Sequence, residues 1–417
     1  MRDPKFSILK AIAIVCVVIS HAGVAAWLSR FVFIFHVPAF FLCAGYFFNT
    51  RYLSDERTFV VRRIKGLYLP FLRWSLAFLI LHNLFFACGL LSETYGNAEG
   101  GVLHPYTWAQ LTQRFWSIVC NMSGYDDFMC GTFWFFRALL LSSLAFLVAF
   151  KVFRRFSDTL HSDRAVGWAI LATALAVAGW KVGAGFRLTG IAQGGYRELM
   201  GTAFMAAGFL IRQYRISERI DWRIALPALL LLCAASVWFP SSMTWNPTLA
   251  NFFSLPIPAI AGFLCLIYIS GHIDRFHTIP RKGLIYIGDR TLYIFAFHLL
   301  AFKAVSALKV AIYGLPWEAV SSYPVVHEPA NSWWFALLYV AAGVGLPLGW
   351  VAVWNRVKPH IHFDGKLILR YLLRSCVRAV LFLVAAVRTV WRGMVRCYRG
   401  TIRLFKEIIA AADPKDE

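Results

Sequence analysis

The sequence predicts an all-α, polytopic membrane protein of about ten transmembrane helices with both termini in the cytoplasm. Three observations predict it. Of 417 residues, 59% are hydrophobic and 15% are charged, where a soluble domain carries roughly 45–50% apolar and about 25% charged residues. The apolar residues gather into ten segments, most close to the roughly 20 residues that a bilayer crossing needs. The basic residues collect in alternate connections, the pattern that sets orientation in a membrane. This composition excludes a disordered chain, a collagen-like repeat and a disulfide-stapled mini-protein. A net charge of +21 brings nucleic acid to mind as a partner. In so apolar a chain the charge belongs to loops at a membrane surface, and no nucleic-acid partner is expected.

The ten segments lie at 7–28, 31–49, 68–91, 133–150, 165–180, 198–211, 224–239, 252–270, 291–312 and 332–354. The first is not a cleaved signal peptide, because no small-residue cleavage site follows it and the next apolar segment starts almost at once. The connection at 50–66 holds Arg51, Arg57, Arg62, Arg63 and Lys65, and those at 151–164, 212–223 and 271–290 are similarly basic. The alternate connections at 92–132, 240–251 and 313–331 are nearly free of Lys and Arg. The 181–197 connection breaks the pattern with Lys181, Arg187 and Arg197. Asp126 and Asp127 in the 92–132 connection read as a solvated turn, with sugar contact as the alternative.

Residues 1–354 form the membrane domain and residues 355–417 a basic cytoplasmic tail. The tail carries 13 Lys+Arg against 5 Asp+Glu. Arg370, Arg374 and Arg378, then Arg388, Arg392, Arg396, Arg399 and Arg403, recur at three or four residues. On a helix they line one face opposite Leu, Val and Ile. The expectation is an amphipathic helix on the inner leaflet, held by anionic lipid. A solvated basic helix is the alternative. The nine cysteines show no metal-ligand spacing, and no metal site is expected.

Ionisable groups within lipid are costly, so those inside spans are functional candidates. Lys10 and His21 are eleven residues apart, which makes three turns plus roughly 20° and puts both on one helix face, about 16 Å apart along the axis. A cation at the inner mouth suits a phosphate. His21 is expected to lie deep, nearer the outer side, and a neutral imidazole deep in the wall suits proton transfer or acyl attack. A snorkelling flank lysine and a packed histidine are the plain structural alternative. His36 stands near the outer end of the second segment, with Pro38 expected in its first helical turn and Gly45 permitting close helix contact. Arg62, Arg63 and Lys65 bring three cations to the inner face, which ordinary positive-inside loading also explains. His298 falls about a third of the way into the ninth segment, with Lys303 deeper. Arg73 and Arg137 also enter spans, Arg137 after the aromatic run Phe133-Trp134-Phe135-Phe136.

Taken in order, these motifs resemble acyltransferase family 3, the integral membrane O-acyltransferases of sugars and surface polysaccharides. Lys10 and His21 are similar to that family's Arg/Lys, ten residues, His pattern. Phe35-His36-Val37-Pro38 through Gly45-Tyr46 resembles its second-span motif. Arg63 through Pro70, Trp134 through Leu139, and Gly288 through His298 resemble the next three. Three positions depart from the pattern: Ser7 replaces an aspartate, Ala44 a serine and Phe295 a tyrosine. The resemblance implies an acyl-CoA donor, usually acetyl-CoA, and a sugar or glycan hydroxyl as acceptor. It implies Lys10, Arg62, Arg63 and Lys65 at the donor's phosphates. His21 is then the general base or a transient acyl carrier, His36 positions or deprotonates the acceptor, and His298 is a second group for positioning or proton transfer. The inner, or cytoplasmic, cell membrane is the expected location. The rival reading is a ten-helix transporter, which the lack of paired repeat halves disfavours.

Overall fold

The computed structural model describes residues 3–357 except 96–103, 127–128, 157–161, 277–278 and 330–331; beyond 357 it describes only Arg378, Thr389, Arg392 and Gly393. The chain divides into two units, Met1–Trp354 and Asn355–Glu417. The amphipathic helix expected in the tail lies outside the described residues.

Most of the described residues are helical, with no strand among them. Each of the ten predicted segments falls on a helix, and eight of these are long and apolar enough to cross a membrane. The protein is therefore an all-α polytopic membrane protein. The helices are α1 (Pro4–His21), α2 (Ala26–Tyr46), α3 (Glu56–Ala87), α4 (Trp108–Asn121), α5 (Trp134–Phe156), α6 (Asp163–Gly183), α7 (Tyr196–Gln213), α8 (Trp222–Trp238), α9 (Pro256–Arg275), α10 (Ile279–Gly288), α11 (Thr291–Tyr313) and α12 (Trp333–Val357). The two of the ten outside the group of eight are α7 and the shorter apolar helix α8.

Local chemistry sets the ends that matter. The Asp3 carboxylate accepts from the Lys5 N–H and Pro4 occupies the first turn, so α1 starts there. Gly23, at φ +66°, turns the chain directly after α1. The helix thus ends at His21, seven residues short of the predicted segment end, and α2 starts at Ala26, five residues before the predicted 31. Pro38 consequently lies inside α2 and not in its first turn. Its missing N–H removes the bond to the Ile34 carbonyl. His36 is placed midway along the helix.

Two of these helices lie in predicted connections and were not foreseen, α4 and α10. Thr107 and Gln110 form a reciprocal capping box that starts α4 within the 92–132 connection. Near one end, Asn83 and Tyr106 exchange two hydrogen bonds of 3.0 and 2.7 Å. Near the other, the Tyr68 hydroxyl donates to the Val119 carbonyl at 2.7 Å. These ties pair falling numbers on α3 with rising numbers on α4, so α4 runs antiparallel along α3 over about 20 Å. The connection is thus not a simple outer loop.

The core is closed by glycines at helix crossings. A Cβ on Gly45 would overlap the Met205 carbonyl, and one on Gly208 would overlap the Leu42 carbonyl. Here α2 and α7 meet backbone to backbone, the close contact expected of Gly45. A Cβ on Gly288 would overlap the Ser7 carbonyl, which fixes α10 against α1. These crossings lock α1 and α2 in place, and both carry histidines.

Candidate active site

Three histidines from three helices converge. The rings of His21 and His298 have centroids 5.4 Å apart. Phe33 bridges to the third: it lies 6.1 Å from His21 and 5.3 Å from His36, centroid to centroid. His36 and His298 are fully enclosed, whereas His21, the last residue of α1, is half-buried. His21 is therefore at the helix end and not deep inside it.

Their hydrogen bonds share one form. His21 Nδ1 meets the Val17 carbonyl at 2.8 Å. His36 Nδ1 meets the Val32 carbonyl at 2.5 Å. His298 Nδ1 meets the carbonyls of Ile294 and Phe295 at 3.1 and 2.9 Å. A carbonyl only accepts, so in each ring Nδ1 carries the proton and donates it. In the neutral ring Nε2 then holds the lone pair. His298 Nε2 is buried with no hydrogen-bond partner. Buried polar atoms are seldom left so, and a functional site is one reason for an exception. The three rings thus offer Nε2 lone pairs in an apolar enclosure, the state a general base or nucleophile requires.

Aromatic packing holds this arrangement. Phe295, one turn before His298, packs on Phe133, Phe135 and Phe136 with centroids at 6.1, 5.5 and 5.2 Å. Phe40, one turn after His36, packs on Phe135 at 5.7 Å. The Trp134 motif therefore wedges between the two histidine helices. Phe295, where the family pattern has tyrosine, is a packing residue here.

The cations lie towards the other end of α1 and α2. Lys10 is half-buried on α1, within electrostatic reach of Cys43 on α2. Arg62 and Lys65 are exposed and Arg63 is half-buried. Arg62 donates to the Tyr52 hydroxyl at 2.7 Å. Arg63 sits 5.0 Å over the Phe59 ring, which packs on Phe48. Phe48 lies five residues past Cys43, so both groups of cations border the same end of α2. Ile64–Tyr68 is a π turn, a local widening often found at functional sites.

Other groups fall elsewhere. Lys303 does not join the histidines. Its ammonium donates to the carbonyls of Val320, Ser321 and Ser322 at 3.1, 3.1 and 2.8 Å, holding the connection after α11. Asp126 is not in a solvated turn. It is buried and its carboxylate meets His82 Nδ1 at 2.8 Å. His82 Nε2 donates to the His104 carbonyl at 3.0 Å, and the His82 ring stacks on Tyr106 at 3.7 Å. Both ring nitrogens are engaged, so His82 fastens α3 to the α4 segment and has no free lone pair. Asp127 lies outside the described residues. Sequence reasoning passed over His82, although a histidine within the third predicted segment was a signal. It also passed over Glu198, a carboxylate at the edge of a predicted span that pairs with Arg137 at 3.6 Å.

A family model described as the acyltransferase domain matches residues 3–353. No curated protein and no solved structure matches the chain. The match runs from the cap of α1 to the interior of α12 and takes in all three converging histidines. The chain belongs to acyltransferase family 3 and is a multi-pass membrane acyltransferase.

Proposed function

We propose that the protein moves an acyl group, most simply acetyl, from cytoplasmic acyl-CoA to a hydroxyl of a sugar, polysaccharide or lipid-linked glycan in the inner, cytoplasmic membrane. The observation that carries this reading is the convergence of His21, His36 and His298, each with Nδ1 bound to a backbone carbonyl and Nε2 left as the base. Lys10 stands on the same face of α1, about three turns from His21. The pantetheine arm of the donor follows that face, with its phosphates among Lys10, Arg62, Arg63 and Lys65.

In the step that follows, His21 Nε2 removes the proton of the acceptor hydroxyl as its oxygen attacks the thioester carbon. The tetrahedral intermediate collapses with cleavage of the C–S bond. The imidazolium returns its proton to the departing thiolate, so ester and free CoA are formed and the base is restored. His36 orients the acceptor, and His298 supports the proton transfer at His21. Transfer of label from radiolabelled acetyl-CoA to a membrane or surface glycan tests the reading. Labelled glycan from the parent protein and none from His21→Ala is the expected result. Export of an unlabelled compound without ester formation would replace the reading with a transporter.

A further inference from the structure

The 181–197 connection carries Lys181, Arg187 and Arg197 on the face that the charge alternation assigns to the outside, where basic residues are depleted. These cations are not scattered. Glu198 is in electrostatic contact with Arg137, Arg197 and Lys181 together. The Arg137 Nε lies 3.6 Å from Glu198 Oε1, with side chains only 8% and 13% exposed. Arg197 is 4.1 Å over the Trp134 ring and donates to the carbonyls of Met243 and Thr244, both at 3.2 Å. Lys181 is buried and donates to the Gln193 carbonyl at 3.2 Å. Arg187 adds an exposed cation beside Lys181.

Among the described residues, two buried cations, Arg137 and Lys181, and the half-buried Arg197 thus face one carboxylate, which leaves two positive charges in excess. Burying charge without a counter-charge is costly. The cluster is also incomplete in hydrogen bonds. Arg137 Nε and Glu198 Oε2 are buried with no partner, as is the neighbouring Gln193 Oε1. Arg137 is 6% exposed, so its free donor is aimed inward. An acidic sugar meets both features: its oxyanion accepts from Arg137 Nε and offsets the excess charge, and its hydroxyls donate to Glu198 Oε2 and Gln193 Oε1.

The cluster borders the histidines. Ser142 donates to the Glu198 carbonyl at 2.9 Å, and a Cβ on Gly201 would overlap both Ser142 and Phe41. Phe41 is five residues from His36, about 8 Å along α2. Phe135, two residues before Arg137, is the ring that packs on both Phe40 and Phe295. A glycan held at Arg137 is within one or two sugar units of the histidines.

We infer that the Arg137, Arg197, Lys181 and Glu198 cluster binds a carboxylate or phosphate of the acceptor, making the acceptor an acidic glycan. This rests on the glycan-acyltransferase reading above. The test is binding to the purified full chain in detergent, without acyl donor, of three probes: a short oligogalacturonate, its carboxyl-reduced neutral counterpart, and a phosphorylated hexose oligomer. At least tenfold tighter binding of one or both acidic probes is expected, and the comparison of the two tells carboxylate from phosphate. Arg137→Gln removes that preference, Arg137→Lys retains it, and Glu198→Gln strengthens it. Equal binding of all three probes overturns the proposal. So does a preference that survives Arg137→Gln, or one that falls equally in Arg137→Gln and Glu198→Gln. Acidic binding with no acetylation when acetyl-CoA is added leaves this site standing and removes the acetyl-transfer reading. Acetylation of neutral glycans with no acidic preference does the reverse.

Discussion

His21 and His298 stand with ring centroids 5.4 Å apart, one ending α1 and the other within α11. Each imidazole is held in one tautomer by a carbonyl of the preceding turn. Neither contact is between the rings' Nδ1 atoms, so both Nε2 atoms remain for chemistry. His298 differs from His21 in being wholly buried with Nε2 unpaired.

Replacing His21 by alanine therefore removes the base while leaving the glycine crossings intact. Acyl transfer falls by about 10²–10⁴-fold, the range of a lost general base. Membrane insertion and detergent elution stay as in the parent. His298→Ala costs less alone, and the double variant is no worse than His21→Ala, because groups acting as one unit are not additive. Measured kcat values for the three variants check this. Independent, multiplying losses would show that the two rings serve separate steps.

Lys10 lies three turns away from that chemistry, so its loss acts on the donor. A charge-assisted contact of about 1.5–3 kcal/mol corresponds to roughly a 10- to 100-fold rise in the donor KM. The kcat is less affected, and dephospho-CoA thioesters distinguish which phosphate is held. Steady-state kinetics at saturating acceptor give the split. An unchanged donor KM in Lys10→Ala would remove the lysine from the phosphate site.

The ten helices were legible because apolar segments of bilayer length leave few alternatives. The sharing of one face by Lys10 and His21 was legible because helix geometry fixes it. The meeting of His21 with His298 was not, since no local pattern states which helices become neighbours. Pro38 misled at the end of α2: proline favours a first turn, but the tertiary packing around Phe35 and Phe41 extended the helix by three turns before it. The Thr107/Gln110 capping box was in plain sight, yet α4 is too short and too polar to register as a span. Asp126 read as solvated because its partner His82 lies 44 residues away.

The His82–Asp126 pair yields a stability prediction with a built-in control. Both side chains are almost completely enclosed, at 0% and 1% exposure. His82→Leu takes the imidazole from the buried Asp126 carboxylate and leaves it the Met129 N–H, at 3.1 Å, a loss of about 3–5 kcal/mol. Combining it with Asp126→Leu recovers much of that loss, since two apolar groups can replace a buried ionic pair at little net cost. Thermal unfolding of the purified variants, read by tryptophan fluorescence, checks the cycle. A double variant as unstable as the sum of the singles would mean that the two residues do not act as a pair.

Ser7 offers the last and most specific test, because it is where the chain departs from the family's aspartate. Its hydroxyl donates to Asp289 Oδ1 at 3.0 Å. This contact joins α1 to the Gly288–His298 motif at the crossing where Gly288 meets the Ser7 backbone. Restoring the family residue by Ser7→Asp would set two carboxylates face to face at hydrogen-bond distance. Like charges so placed cannot both ionise without strain. Ser7→Asp alone therefore lowers stability and activity, although it brings the sequence closer to its family. Adding Asp289→Ser moves the carboxylate across the same contact and restores both. Rescue in the double variant, measured as melting temperature and acyl transfer together, would establish that one carboxylate is required at this crossing and that either helix can supply it. If Ser7→Asp is harmless by itself, the two side chains are not coupled, and the departure at residue 7 has another cause.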